Sequence, residues 1–159
     1  HMSASSNHTA ADQPRTKRGT ACHCLAVRQA ARRITQLYDH AMAPIGLRVT
    51  QFSMLAQLRD MGPVTMSTLA QRMVMDRATL GHNLRPLETQ GLVERTVGTD
   101  RRSRLVTLTP LGQERLAQGW DLWREAQAMF EETFGKEEAA ALRATLSRVA
   151  AMEFEATAS

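Results

Sequence analysis

The feature that most constrains this chain is a change of hydrophobic period. Up to about Thr89 the apolar residues recur every three or four positions, the mark of amphipathic helices. From Leu92 the pattern alternates instead. Leu92-Val93-Glu94-Arg95-Thr96-Val97 and Leu105-Val106-Thr107-Leu108-Thr109 both read as strands. Between them lies Gly98-Thr99-Asp100-Arg101-Arg102-Ser103-Arg104, a polar hairpin tip. After Thr109, a cap, and Pro110, a first helical residue, the helical period returns. A basic hairpin inserted in a helical chain predicts a mainly α fold with a small β wing.

The helices before the hairpin sharpen this. Val27, Ala30, Ala31, Ile34, Leu37, Tyr38 and Ala41 give a helix over 21–42, which Ala43-Pro44-Ile45-Gly46 ends. Thr50 is the expected cap of a second helix, closed by Asp60-Met61-Gly62-Pro63. Ser67–Met73 forms a short third helix. After Val74-Met75-Asp76 a fourth runs to about Thr89, with Leu80, Leu84 and Leu87 inward, Pro86 inside it and Gly91 as its stop. A long helix follows from Pro110 until Gly135 interrupts it, and a final helix is expected to carry Leu142, Leu146, Val149, Ala150 and Phe154.

A short helix, a tight turn, a second helix and a basic hairpin form a winged helix-turn-helix. The second helix of the pair enters the DNA major groove, about 12 Å wide, where all base pairs can be told apart. Arg77, Thr79, His82 and Asn83 are expected at base edges, with Arg85 one turn deeper. Arg101, Arg102 and Arg104 are expected against phosphates or in the minor groove, with Asp100 orienting Arg102.

Charge agrees with this arrangement. The net +4 is the sum of +4 over 1–47, +4 over 48–104 and −4 over 105–159. Of the 20 basic residues 18 are arginine, the side chain whose planar fork suits phosphate and guanine. The apolar stripes of the first and last two helices exceed what a small winged domain can bury. A second copy would cover them and set two recognition helices on a near-palindromic duplex. The expected organisation is therefore an N-terminal arm over 1–19, whose His1-Met2 reads as a leftover of expression, then a dimerisation helix and linker over 20–47. The winged DNA-binding domain spans 48–109, and C-terminal dimerisation helices span 110–159. The arm is polar and reads as disordered, and its Arg15, Lys17 and Arg18 are available to phosphates or simply solvated.

At this point the chain resembles the MarR family of bacterial regulators. The matching stretches are Leu37-Tyr38, Ala43-Pro44-Ile45-Gly46-Leu47, Thr50-Gln51-Phe52, Leu69-Ala70, Met75-Asp76-Arg77-Ala78-Thr79-Leu80, Leu84-Arg85-Pro86-Leu87-Glu88, Gly91-Leu92-Val93, Asp100-Arg101-Arg102-Ser103-Arg104, and Leu108-Thr109 with Gly112. They span about residues 21–155. The resemblance implies a homodimer joined by its outer helices that represses, or in some members activates, transcription. It also implies release from DNA by a small phenolic or aromatic-acid ligand. Arg28, His40 and Arg48, with Phe52 and Trp123 as walls, are the expected effector residues; Arg32, Arg33, Met54 and Met66 are further choices.

Cys22-His23-Cys24 leaves an alternative open. The position of Cys24 relative to Tyr38 resembles the peroxide-sensing branch of that family, though Arg28 stands where that branch has another tyrosine and this chain has a single tyrosine. A thiol in the first helical turn near Arg28 is a possible redox centre. Two residues this close on one helix point apart, which argues against a Cys22–Cys24 disulfide. The same divergence argues against a metal site, so no metal and no cofactor are expected. No residues support a reaction class, which excludes an enzyme. A winged helix used only to dock proteins is the remaining rival. No run approaches the roughly 18 apolar residues of a membrane span. With two cysteines only, a reducing cytoplasm is the expected compartment.

Overall fold

The computed structural model describes residues 21–100 and 103–154. The chain divides into two compact units, the first ending at Gln36 and the second beginning at Leu37.

The first unit carries the start of helix α1 (His23–Met42). Cys22 stands just before the helix, and its Sγ accepts the Leu25 N–H at 3.4 Å, the role of a helix cap. The Cys22 carbonyl also accepts the Ala26 N–H at 3.1 Å, so both cysteines belong to the opening turn of the helix. Leu25 and Val27 are 39% and 47% exposed.

The second unit opens on the last turns of α1, where Tyr38 and Met42 are buried. A 3-10 turn, Ala43–Ile45, leads to α2 (Val49–Met61). Thr50, the cap expected from sequence, lies inside the first turn instead. The orphan N–H groups of α2 find other acceptors: Asp39 Oδ1 takes Val49 N–H at 2.8 Å and Gln51 Oε1 takes Arg48 N–H at 2.9 Å. A carboxylate borrowed from α1 has replaced the local hydroxyl.

Strand β1 (Val64–Thr65) precedes α3 (Met66–Met73), and α4 (Arg77–Thr89) follows. Thr65 Oγ1 caps α3 by accepting Thr68 N–H at 3.2 Å. Asp76 caps α4, its Oδ1 accepting Thr79 N–H at 2.7 Å and its Oδ2 the Thr79 hydroxyl at 3.1 Å. The turn between the helices passes through Val74 at φ 53°, a left-handed conformation that costs a β-branched residue. Met75 N–H to Ala70 O at 2.9 Å helps hold it.

Strands β2 (Val93–Val97) and β3 (Arg104–Leu108) pair antiparallel from Val93 opposite Leu108 to Val97 opposite Arg104. β1 adds a third strand on the other side of β3, with Val64 opposite Val106 and Thr65 opposite Leu105. Sequence pattern shows only the hairpin, because two residues are too few to display alternation.

The long helix α5 (Pro110–Phe134) starts as expected, with Thr109 Oγ1 accepting Gly112 N–H at 3.0 Å. Gly112 is required by close approach: a Cβ there would lie 2.1 Å from the Leu92 carbonyl oxygen. Gly119 is required likewise, by the Phe52 ring 2.4 Å from the same hypothetical atom. Gly135 separates α5 from α6 (Lys136–Ala150). Phe154, expected in the final helix, lies beyond its end and is 77% exposed.

The core lies between α2, α3, α4, the sheet and α5. Phe52, Leu55, Leu69, Leu80, Leu84, Leu87, Leu92 and Leu116 fill it. Among the described residues no helix is long and apolar enough to cross a membrane, and no group of His, Cys, Asp and Glu is placed to hold a metal.

Candidate nucleic-acid interface

Helix α4 is fixed from beneath. Leu80, Leu84 and Leu87 are fully buried, so the helix cannot rotate about its axis without exposing three leucines. At 3.6 residues per turn, the face opposite these leucines carries Ala78, His82, Arg85 and Thr89, all exposed. His82 and Arg85 therefore point outward.

The other three residues expected to read bases sit differently. Thr79 and Asn83 lie on one flank and are engaged locally. The Thr79 hydroxyl donates to Asp76, and Asn83 Nδ2 donates to the Thr79 carbonyl at 2.8 Å. Asn83 must release that bond before its amide can form a bidentate pair with a base. Arg77 lies on the opposite flank, the side on which Glu88 meets the wing. Arg95 Nε of β2 donates to Glu88 Oε1 at 2.6 Å, a partly exposed ion pair joining helix and wing. The hydrogen bonds from Thr79 to Asp76, first from its N–H and then from its hydroxyl, hold the Asp76 carboxyl below the usual carboxylate range.

At the tip of the wing, Gly98 N–H donates to Ser103 O at 3.0 Å and Ser103 N–H to Asp100 O at 2.9 Å. Arg104 is exposed at the first position of β3. Arg101 and Arg102, with the expected pairing of Asp100 to Arg102, lie outside the described residues.

The expected effector residues are divided between the two units. Arg28 lines a shallow cleft of the first unit with Ala31, Arg32, Thr35 and Gln36. In the second unit His40 and Arg48 are exposed. Like Met54 and Met66, Phe52 packs in the core; it is 1% exposed. Its ring meets Trp120 edge-on at 5.1 Å, and Trp120 meets the half-buried Trp123 edge-on at 5.4 Å. Sequence periodicity missed Arg59, whose guanidinium lies 4.9 Å from the Trp120 ring centre. The signal was faint, a single arginine at the end of α2.

Cys22 and Cys24 are both free and exposed. The Tyr38 hydroxyl donates to Gln127 Oε1, so it is committed to α5 and not to a thiol. Burial, reinforced by the Glu131 charge and opposed by Arg143, raises the Tyr38 pKa above its ordinary value.

These elements define a winged helix-turn-helix protein with long helices on either side. A family model described as the MarR family matches residues 45–103. An uncharacterized HTH-type transcriptional regulator of Bacillus subtilis (strain 168), YwoH, is 32% identical over 89 residues, which cover 56% of this chain and 65% of that protein. The transcriptional regulator MosR of M. tuberculosis, solved in complex with DNA, is 36% identical with a TM-score of 0.74, over 81% of this chain and 93% of that one. The transcriptional repressor CouR, solved on a 23-mer DNA duplex, is 28% identical with a TM-score of 0.75, over 87% and 99%. The chain belongs to the MarR family, whose members are DNA-binding transcriptional regulators and not enzymes.

Proposed function

We propose that this chain is a homodimeric repressor that binds a near-palindromic operator and leaves it when a small aromatic or phenolic acid binds. The observation that carries the DNA reading is the outward face of α4, with His82 and Arg85, beside a wing whose described arginines include the exposed Arg104. His82, Thr79, Asn83 and Arg85 serve base edges and nearby backbone, while Arg101, Arg102 and Arg104 serve the wing's grip on DNA. Residues 48–109 are the DNA-binding domain, with 20–47 and 110–159 forming the dimer and 1–19 an arm.

Dimerisation is supported by apolar side chains left uncovered on the outer helices. Met129 and Phe134 of α5 are 55% and 49% exposed, and Leu146 and Val149 of α6 are 40% and 48% exposed. Large apolar patches on a soluble chain mark interaction surfaces. Paired recognition helices would then meet half-sites about 34–36 Å apart. The effector reading draws on the half-buried Trp123 at the edge of an aromatic cluster, with His40 and Arg48 exposed in the same unit and Arg28 in the other.

The test is a duplex selected by the purified protein from a random pool, read by fluorescence anisotropy across a salt series. The expected log K falls by about 0.9 per log salt for each phosphate neutralised. Binding to no duplex, or binding without salt dependence, would favour a protein-docking module. A panel of aromatic acids should release the duplex and quench tryptophan emission.

The exposed free thiols favour a second reading, in which Cys24 is the sensor. Hydrogen peroxide would convert its thiol to a sulfenic acid and release water. Release of DNA by peroxide that disappears in Cys24→Ser, with no response to the acids, selects this reading over the first.

A further inference from the structure

Arg77 and Arg104 come together at the tip end of the β2–β3 ladder, where Arg104 stands opposite Val97. A cleft of about 160 Å³ is lined by Thr65, Met66, Ser67, Arg77, Ser103 and Arg104. Its lining offers two guanidinium groups and three hydroxyls, with no carboxylate among them. Both arginines are exposed, while Met66 is buried.

The fold dictates this convergence. Pairing of Thr65 with Leu105 brings the start of α3 beside the first residue of β3, which is Arg104. Arg77 is the first residue of α4 and stands about three turns from Glu88 on the same side of the helix. Glu88 is held by Arg95 of the wing, so this is the wing-facing side. The buried leucines prevent Arg77 from turning to the face of His82 and Arg85.

We propose that Arg77 and Arg104 grip one phosphodiester of the DNA backbone from two sides, with the Ser67 hydroxyl as a further donor; the Ser103 hydroxyl is already donated to the Asp100 carbonyl at 2.9 Å. Planar guanidinium forks match the oxygens of a phosphate, and hydrogen bonds between such charged partners are the strong ones. Arg77 is then a register-setting residue and not a base reader, because phosphate contacts position a protein without conveying sequence. This inference rests on the DNA-binding reading and refines one side chain of it.

The test uses the full chain with two duplexes of equal length, one selected from a random pool and one scrambled. Arg77→Gln and Arg104→Gln should each weaken both duplexes by the same factor, roughly tenfold or more. The double variant should lose about 0.9 of the salt slope. Replacing phosphates one at a time by neutral methylphosphonates should identify one position that weakens the wild type and leaves the double variant unaffected. Circular dichroism checks that each variant is folded.

The proposal is overturned if Arg77→Gln costs the selected duplex more than the scrambled one, or if the two arginines map to different phosphates. It is also overturned if inorganic phosphate, compared with chloride at equal ionic strength, displaces DNA from the wild type alone, since the cleft would then hold a free anion. In all three cases the wild type still binds DNA. If the wild type itself fails to bind either duplex, the broader reading falls, and this one with it.

Discussion

The winged region and the outer helices solve the problem of burial in opposite ways. In the winged region Leu80, Leu84, Leu87, Leu92 and Val106 are each fully covered by their own chain. On α6 the comparable apolar residues Leu146 and Val149 stay 40% and 48% exposed, and Ala139 is its sole buried residue. One region closes its core alone. The other has the composition of a core but only one wall of it. Stability of the first is a property of the chain, whereas that of the second must depend on protein concentration if a second copy covers it.

Phe52→Ala is the harshest way to break this contrast. The ring fills the space beside Gly119 and Trp120, so its loss should cost about 3–5 kcal/mol in urea unfolding. Val149→Glu attacks the other side of the comparison. It should weaken self-association roughly tenfold, about 1.4 kcal/mol, in sedimentation equilibrium. If Val149→Glu lowered stability to the same degree at every protein concentration, the arms would be closed within one chain and the contrast would fail.

Tyr38→Phe sharpens the boundary, since this residue sits where α1 joins the second unit. Losing its hydrogen bond to Gln127 should cost about 1 kcal/mol. The raised phenol pKa favours the neutral form in the folded state, by burial first and Glu131 second. That contribution is complete below the ordinary tyrosine pKa and fades as pH rises through the folded one. Wild type should therefore lose stability in alkali more steeply than Tyr38→Phe.

Asp76 should give the smallest effect and the opposite sign. Its carboxyl is depressed by Thr79, so its contribution is complete above the ordinary aspartate pKa and is lost as pH falls through the folded one. Thermal melts across the acid range should show a slight extra stabilisation above that window which Asp76→Asn removes.

Much of this organisation was legible in sequence, for identifiable reasons. Three leucines at helical spacing fixed the orientation of α4, and the switch to alternation marked the wing. Thr109 and Pro110 announced α5. Three things were not legible. β1 is too short to carry a period. The cap of α2 comes from Asp39, a distant residue that no local motif reveals. The side on which Arg77 falls has meaning only once the wing's position is known. Apolar residue type alone also does not separate a pocket wall from a core residue, and Phe52 packs in the core.

The short strand β1 has a practical consequence for anyone building chimeras from this chain. Its pairing of Val64 with Val106 ties the wing to a segment that precedes both helices of the reading head. Grafting the hairpin alone onto a relative would leave the third strand with a foreign edge to zip against. A crossover that respects the molecule must move residues 64–108 as one cassette, and exchange of operator preference between relatives should succeed only when the cut sites lie outside it.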